Sequence, residues 1–221
     1  MRVYPGVDSA LVLALVKKAQ EKENSPIKNI YPLLLPSNVG VTLQNSATQR
    51  GVEICNYLGL RPIVIEMSSI VETIKENVEK ESLLETDPWA IGQLVSYART
   101  PVLYYMTSLI TANSGSSVIC GTTNLDEGAY LGYVGKASDG MVDLQLITDL
   151  HKSEVFEVSR LLSVPESILN ATPTGDMYDS RCDQDVFGAP YDFVEDNKHN
   201  FSNLMKNDDE KLRSNVRRLK R

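Results

Sequence analysis

Short apolar runs alternate along this chain with segments of helical periodicity, and few folds accommodate that order. Residues 29–35 (NIYPLLL), 61–67 (RPIVIEM) and 117–120 (SVIC) read as strands bounded by Pro, Gly or Ser. Around them, residues 10–16, 47–58, 68–79, 89–111 and 152–162 repeat apolar positions at helical spacing. Gly59 is placed to end the second helix, Ser68 and Ser69 to cap the third, and Pro101 to interrupt or kink the fourth. Val3 and Tyr4 add a brief apolar lead-in before the first helix. Strands separated by helices of this length pair in parallel through crossovers, which cover both sheet faces. The expected fold is α/β, a three-layer, Rossmann-like parallel sheet with helices on both faces. In such sheets ligands bind beyond the carboxyl ends of the strands.

Two strand ends run into notable loops. The stretch Tyr4-Pro5-Gly6-Val7-Asp8-Ser9-Ala10 reads as strand, tight turn and helix N-terminus. The first N–H groups of a helix lack internal acceptors and sit at the positive end of its dipole. Glycine there lets an anion approach the backbone, and phosphate is the natural guest. Asp8 can cap that helix or hold a divalent cation against a phosphate, and its neighbours leave both roles open. The second strand end, SVIC, runs into Gly121-Thr122 and a long polar stretch, GTTNLDEGAYLGYVGKASDGMVD at 121–143. Loops of this length without periodicity are commonly functional, and the Thr, Asp, Glu and Lys here suit phosphate and metal. Residues 172–178 carry turn chemistry, and the charged stretch 208–221 places acidic residues first and Arg217, Arg218, Lys220 and Arg221 last, as a helix dipole favours.

Composition narrows the function class. With 221 residues, 42% hydrophobic and 23% charged, the chain has the material for one well-buried core. A net charge of −7 argues against nucleic acid as a partner, although small phosphorylated ligands need only a local positive site. Three cysteines, Cys55, Cys120 and Cys182, are widely spaced and odd in number, which suggests reduced thiols in the cytoplasm. No apolar run approaches the roughly 18 residues that span a bilayer, so no membrane association is expected.

Taken in order, GVDSA at 6–10, GTTNLDE at 121–127, GKASDGMVD at 135–143, DLHKSEV at 149–155 and PTGD at 173–176 resemble the ammonia-dependent NAD synthetases. These belong to the N-type ATP pyrophosphatases. GVDSA marks only that wider group, whereas the run from GTTNLDE to PTGD is specific. The resemblance implies a carbon–nitrogen ligase, a homodimer of the adenine-nucleotide-hydrolase-like fold, acting on the small molecules deamido-NAD, ATP and ammonia. ATP would adenylate the nicotinate carboxylate, and ammonia would displace AMP. By resemblance, Gly6, Val7, Asp8 and Ser9 cradle pyrophosphate, and Thr122, Lys152 and Thr174 contact ATP. Asp8 and Glu127 hold Mg²⁺, with Asp8 and Lys152 carrying the catalysis. Arg99, Lys136, Asp143 and Lys220 match deamido-NAD contacts. The family reads Ser-Gly-Gly where this chain has Tyr4-Pro5-Gly6, so two phosphate contacts are expected to change. Residues 1–221 read as one domain without the family's N-terminal helical segment. Two alternatives stand beside this reading: another ATP pyrophosphatase with a different acceptor, and a degenerate nucleotide-binding homologue without turnover.

Overall fold

Three consecutive leucines hold the layers together. In the computed structural model, which describes residues 6–39, 44–132, 134–172 and 190–196, Leu33, Leu34 and Leu35 are all buried. Successive side chains of an extended segment point to opposite faces, so an all-apolar run needs a core on each side. Leu34 packs into a cluster with helix α1 (Val7–Gln20), Ile54, Cys55, Cys120 and Val155. Leu33 and Leu35 pack into a second cluster with Met67, Val71, Val95, Leu103 and Ile119. Ile119 and Cys120 divide in the same way between the two clusters. The layering is that of an α/β fold with helices on both faces.

Along the chain, α1 is followed by β1 (Leu33–Leu34), α2 (Gln44–Tyr57), β2 (Ile63–Val64), α3 (Ser68–Ser82) and α4 (Pro88–Ser114). Next come β3 (Cys120–Gly121), a π-helical turn (Asp126–Tyr130), β4 (Leu144–Gln145), α5 (Lys152–Leu161), α6 (Glu166–Leu169) and α7 (Tyr191–Asp196). β1 pairs in parallel with β2, and β3 in parallel with β4, through Leu33 with Ile63 and Cys120 with Leu144. The described residues thus contain two two-stranded parallel sheets, each with two-residue strands, shorter than the runs expected from sequence. The expected strand at Val3 and Tyr4 and the expected helix at 208–221 lie outside the described residues.

Three local expectations change. β4 follows directly on the stretch that reads as a loop, at residues where no strand is expected, and its Leu144 is exposed. The N-cap of α3 is Met67, not a serine: the Ser68 hydroxyl instead donates to Glu66 and accepts from the Asn38 N–H. α4 continues through Pro101 without interruption, and the exposed ring leaves the Tyr97 carbonyl without the hydrogen bond that an N–H at 101 would donate. Asp87 caps this helix, accepting from the Ala90 N–H at 3.1 Å, and Pro88 opens it. No described helix is long and apolar enough to cross a membrane.

Candidate active site

The N-terminus of α1 begins at Gly6, which has extended backbone and no side chain with which to cap the helix. Asp8 is therefore not the cap, and its carboxylate serves elsewhere: Oδ1 accepts from Asn124 Nδ2 at 2.9 Å and Oδ2 from Lys152 Nζ at 2.5 Å. Val7 is buried in the core and Ser9 returns its hydroxyl to the Gly6 carbonyl at 3.2 Å. Among the described residues, a Cβ at Gly6 would meet nothing within 4 Å.

Opposite α1, the segment after β3 folds into the π-helical turn. Asn124, fully buried, also accepts the Glu127 N–H at 3.0 Å, so one amide side chain fixes both Asp8 and Glu127. Lys152 opens α5 and is only 3% exposed. A buried ammonium is tolerated when paired, and this one lies between Asp8 and Glu127, 3.3 Å from Glu127 Oε1. The same Glu127 oxygen accepts the Tyr191 hydroxyl at 3.1 Å, and the Tyr191 ring lies 5.1 Å from the ammonium.

The N-terminus of α5 is closed by carboxylates. Glu154 accepts the His151 N–H at 2.7 Å, Asp126 Oδ2 the Lys152 N–H at 2.7 Å, and Glu195 Oε1 the Ser153 N–H at 3.0 Å. Glu195 Oε2 takes the Ser153 hydroxyl at 2.7 Å. Asp126 Oδ1 pairs with His151 Nδ1 at 2.7 Å, and the imidazole stacks on Tyr130 with rings 3° from parallel. Asp126, His151 and Glu195 could each offer a ligand atom within 4.8 Å of the others, but all four carboxylate oxygens already accept hydrogen bonds.

The remaining expected residues group separately. Arg99 is 2% exposed on α4 and donates Nε to the Leu35 carbonyl at 3.0 Å, at the carboxyl end of β1. Its neighbour Thr100 donates to Ala137, beside the exposed Lys136. Asp143 accepts the Ile119 N–H at 2.7 Å, tying that loop to the start of β3. Thr122 is half-buried just past β3. Thr174 and Lys220 lie outside the described residues. Burial pushes the Cys55 thiol up to about 11 and also raises Cys120, to which the Asp143 charge adds. Both therefore remain protonated thiols, not nucleophiles.

Sequence reasoning missed Asn124, Asp126, His151, Tyr191 and Glu195. Asn124 and Asp126 both precede the expected Glu127 inside one motif, and His151 with Glu154 carries the spacing of a helix start. Nothing local marks Tyr191 or Glu195.

The family model described as NAD synthase matches residues 3–219. The NH(3)-dependent NAD(+) synthetase of Thermoplasma volcanium is 32% identical over 191 residues, covering 86% of this chain and 71% of that protein. The enzyme of the same name from Archaeoglobus fulgidus is 30% identical over 216 residues, 98% of this chain and 80% of that one. Among solved structures, NMN synthetase from Francisella tularensis superposes with a TM-score of 0.78 at 23% identity, covering 99% of this chain and 81% of that one. The NH3-dependent NAD synthetase from Campylobacter jejuni gives 0.67 at 23% identity, with 99% and 82% covered. At that identity the two structures bear on the fold, which they share with this chain.

Proposed function

The chain belongs to the NAD synthase family, and from that premise we propose how its residues divide the work of an ammonia-dependent NAD synthetase. The enzyme is a carbon–nitrogen ligase that amidates deamido-NAD with ATP and ammonia. A carboxylate is a poor electrophile, so one nicotinate oxygen attacks the α-phosphorus and pyrophosphate leaves. Ammonia then attacks the carbonyl carbon of the adenylate, AMP departs with the shared oxygen, and the surplus proton goes to solvent. Both reactants of the first step are anions, so positioning and charge neutralisation carry the catalysis.

The first turn of α1, at Gly6, Val7, Asp8 and Ser9, receives the departing pyrophosphate, and Lys152 places a point charge against it. Asp8 and Glu127 fit Mg²⁺: both are hard oxygen donors, and both already converge on one cationic atom, Lys152 Nζ. The ion would neutralise phosphate charge there. Thr122 and Thr174 complete the ATP contacts. Arg99, Lys136, Asp143 and Lys220 take deamido-NAD, a grouping supported by the Thr100–Ala137 hydrogen bond that ties α4 to the Lys136 turn.

Residues 1–221 act as one domain, in the cytoplasm. A homodimer is supported by the apolar side chains that α3, α4 and their connection leave exposed, among them Val78, Leu83, Leu84, Trp89 and Tyr105. The observation that carries the functional reading is the buried Lys152 ammonium between two carboxylates, facing an α1 N-terminus without a side-chain cap.

The test is incubation with deamido-NAD, ATP, Mg²⁺ and ammonium, following NAD and AMP together. Equal yields of NAD and AMP are expected. AMP without NAD would assign a different acceptor, and neither product from folded protein would overturn turnover altogether.

A further inference from the structure

We propose that Asp126 is the positioning residue that sets where the Lys152 ammonium stands, an inference that rests on reading Lys152 as a phosphate contact. A completely buried carboxylate is costly unless its lone pairs are used. Asp126 is 0% exposed and commits both oxygens to the start of α5, one to the Lys152 N–H and one to His151 Nδ1, each at 2.7 Å. The lysine side chain is long and flexible, so its ammonium can be placed only if its own backbone is held.

Asp126 also opens the π-helical turn, and the next residue in that turn is Glu127. Isolated π turns are rare and recur at functional sites because they re-aim side chains. One residue thus fastens both halves of the ion pair: its side chain holds the backbone of Lys152, and its backbone delivers Glu127. A second strap, from the Leu125 N–H to the Leu150 carbonyl at 2.9 Å, joins the same two segments and keeps them in register. His151 is held in turn by stacking on Tyr130 from the far end of the π turn. Asp126 is bonded to the backbone of Lys152, so it acts through that residue.

The experiment is a double-mutant cycle on binding of α,β-methylene-ATP with Mg²⁺, measured by calorimetry on the full chain. Asp126→Ala is expected to weaken binding about tenfold, and Lys152→Ala by a larger factor. The double variant should bind within about twofold of Lys152→Ala alone, because Asp126 has nothing left to position. Independent, multiplying losses would overturn the proposal, as would wild-type binding by Asp126→Ala. Asp126→Asn should restore binding: its Oδ1 can accept the Lys152 N–H while its amide donates to Nδ1 of the other His151 tautomer. The ¹⁵N shift of His151 Nδ1 should then move from the protonated to the unprotonated range. Binding by Asp126→Asn as weak as by the alanine variant would also overturn the proposal. Should Asp126→Ala fail to fold, Asp126→Ser, too short to reach both donors, takes its place in the cycle. A wild-type protein that binds the analogue but makes no NAD would refute the synthetase reading while leaving this cycle measurable.

Discussion

Replacing Lys152 with methionine removes the ammonium but keeps most of the length and apolar stem of the side chain. In the folded protein that ammonium stands 2.5 Å from Asp8 and 3.3 Å from Glu127, and the carboxylate side chains are only 17% and 20% exposed. With an effective dielectric near 20, the two contacts correspond to gross attractions of about 7 and about 5 kcal/mol. The cost of withdrawing the ammonium from water offsets much of this. Removing one member of a buried pair typically costs about 3–5 kcal/mol, because the other member stays behind uncompensated. Here Asn124 and Tyr191 still donate to the two carboxylates, so the lower end applies, about 3 kcal/mol. At about 2–4 °C per kcal/mol for a chain of this size, Lys152→Met should melt about 6–12 °C below wild type.

The same variant reports on the cation site. A divalent ion entering between Asp8 and Glu127 must displace the ammonium in the wild type, but meets uncompensated carboxylates in the variant. If the affinity rises tenfold, saturating Mg²⁺ should stabilise Lys152→Met by about 1.4 kcal/mol more than wild type. Thermal melts followed by circular dichroism, with MgCl2 against NaCl at matched ionic strength, separate site binding from screening. An unchanged melting temperature would refute the electrostatic account of Lys152. A Mg²⁺ shift no larger than in wild type would refute Asp8 and Glu127 as the pair that holds the ion.

Three further substitutions test other parts of the structure. Tyr191→Phe keeps the ring 5.1 Å from the ammonium but loses the donor to Glu127; denaturant unfolding should show a loss of about 1 kcal/mol. A Cβ at Gly121 would stand 2.3 Å from Gln145 Oε1 and 2.8 Å from Val142 Cγ2. Gly121→Ala should therefore cost about 1–3 kcal/mol in the same assay, with Gln145 pushed off the Asp139 carbonyl. Burial raises the Cys55 thiol from 9.0 to about 11, so the folded state keeps a proton that the unfolded chain releases. That contribution is whole below 9.0 and lost as pH rises towards about 11, and the fall in melting temperature across this window should shrink in Cys55→Ala.

How much could be read in advance depended on the range of the interaction. Helices expected at 10–16, 89–111 and 152–162 are found at 7–20, 88–114 and 152–161 because periodicity is a local signal, and motifs mark Asp8, Glu127 and Lys152, whose side chains the structure brings together. Burial was harder. Ile70, Val71, Ile74 and Val78 share a helical spacing, yet only Val71 is buried. Periodicity cannot tell a face turned to the core from one left for another surface. Ser68 shows a competing local bond winning: its hydroxyl turns to Glu66, and Met67 becomes the cap. Tyr191 meets Glu127 across 64 positions and Glu195 meets Ser153 across 42, separations over which no local pattern carries information.

The two helix N-termini joined by the Asp8–Lys152 pair differ in what caps them. Both α1 and α5 begin with N–H groups that no intrahelical carbonyl satisfies, at the positive ends of their dipoles, so what caps each end decides whether it can receive a phosphate. At α5, however, Glu154, Asp126 and Glu195 accept from the three residues that open the helix. An anion arriving there would face carboxylates and would have to break bonds that hold Lys152 in place. A metal at Asp126, His151 and Glu195 would meet the same obstacle, since coordination would strip those acceptors from the helix. At α1, Gly6 brings no capping side chain, and the carboxylate of Asp8 is engaged with Asn124 and Lys152. On the proposed reading phosphate is directed to α1, and α5 contributes one charge, the Lys152 ammonium, delivered from an end that its carboxylates have closed to anions.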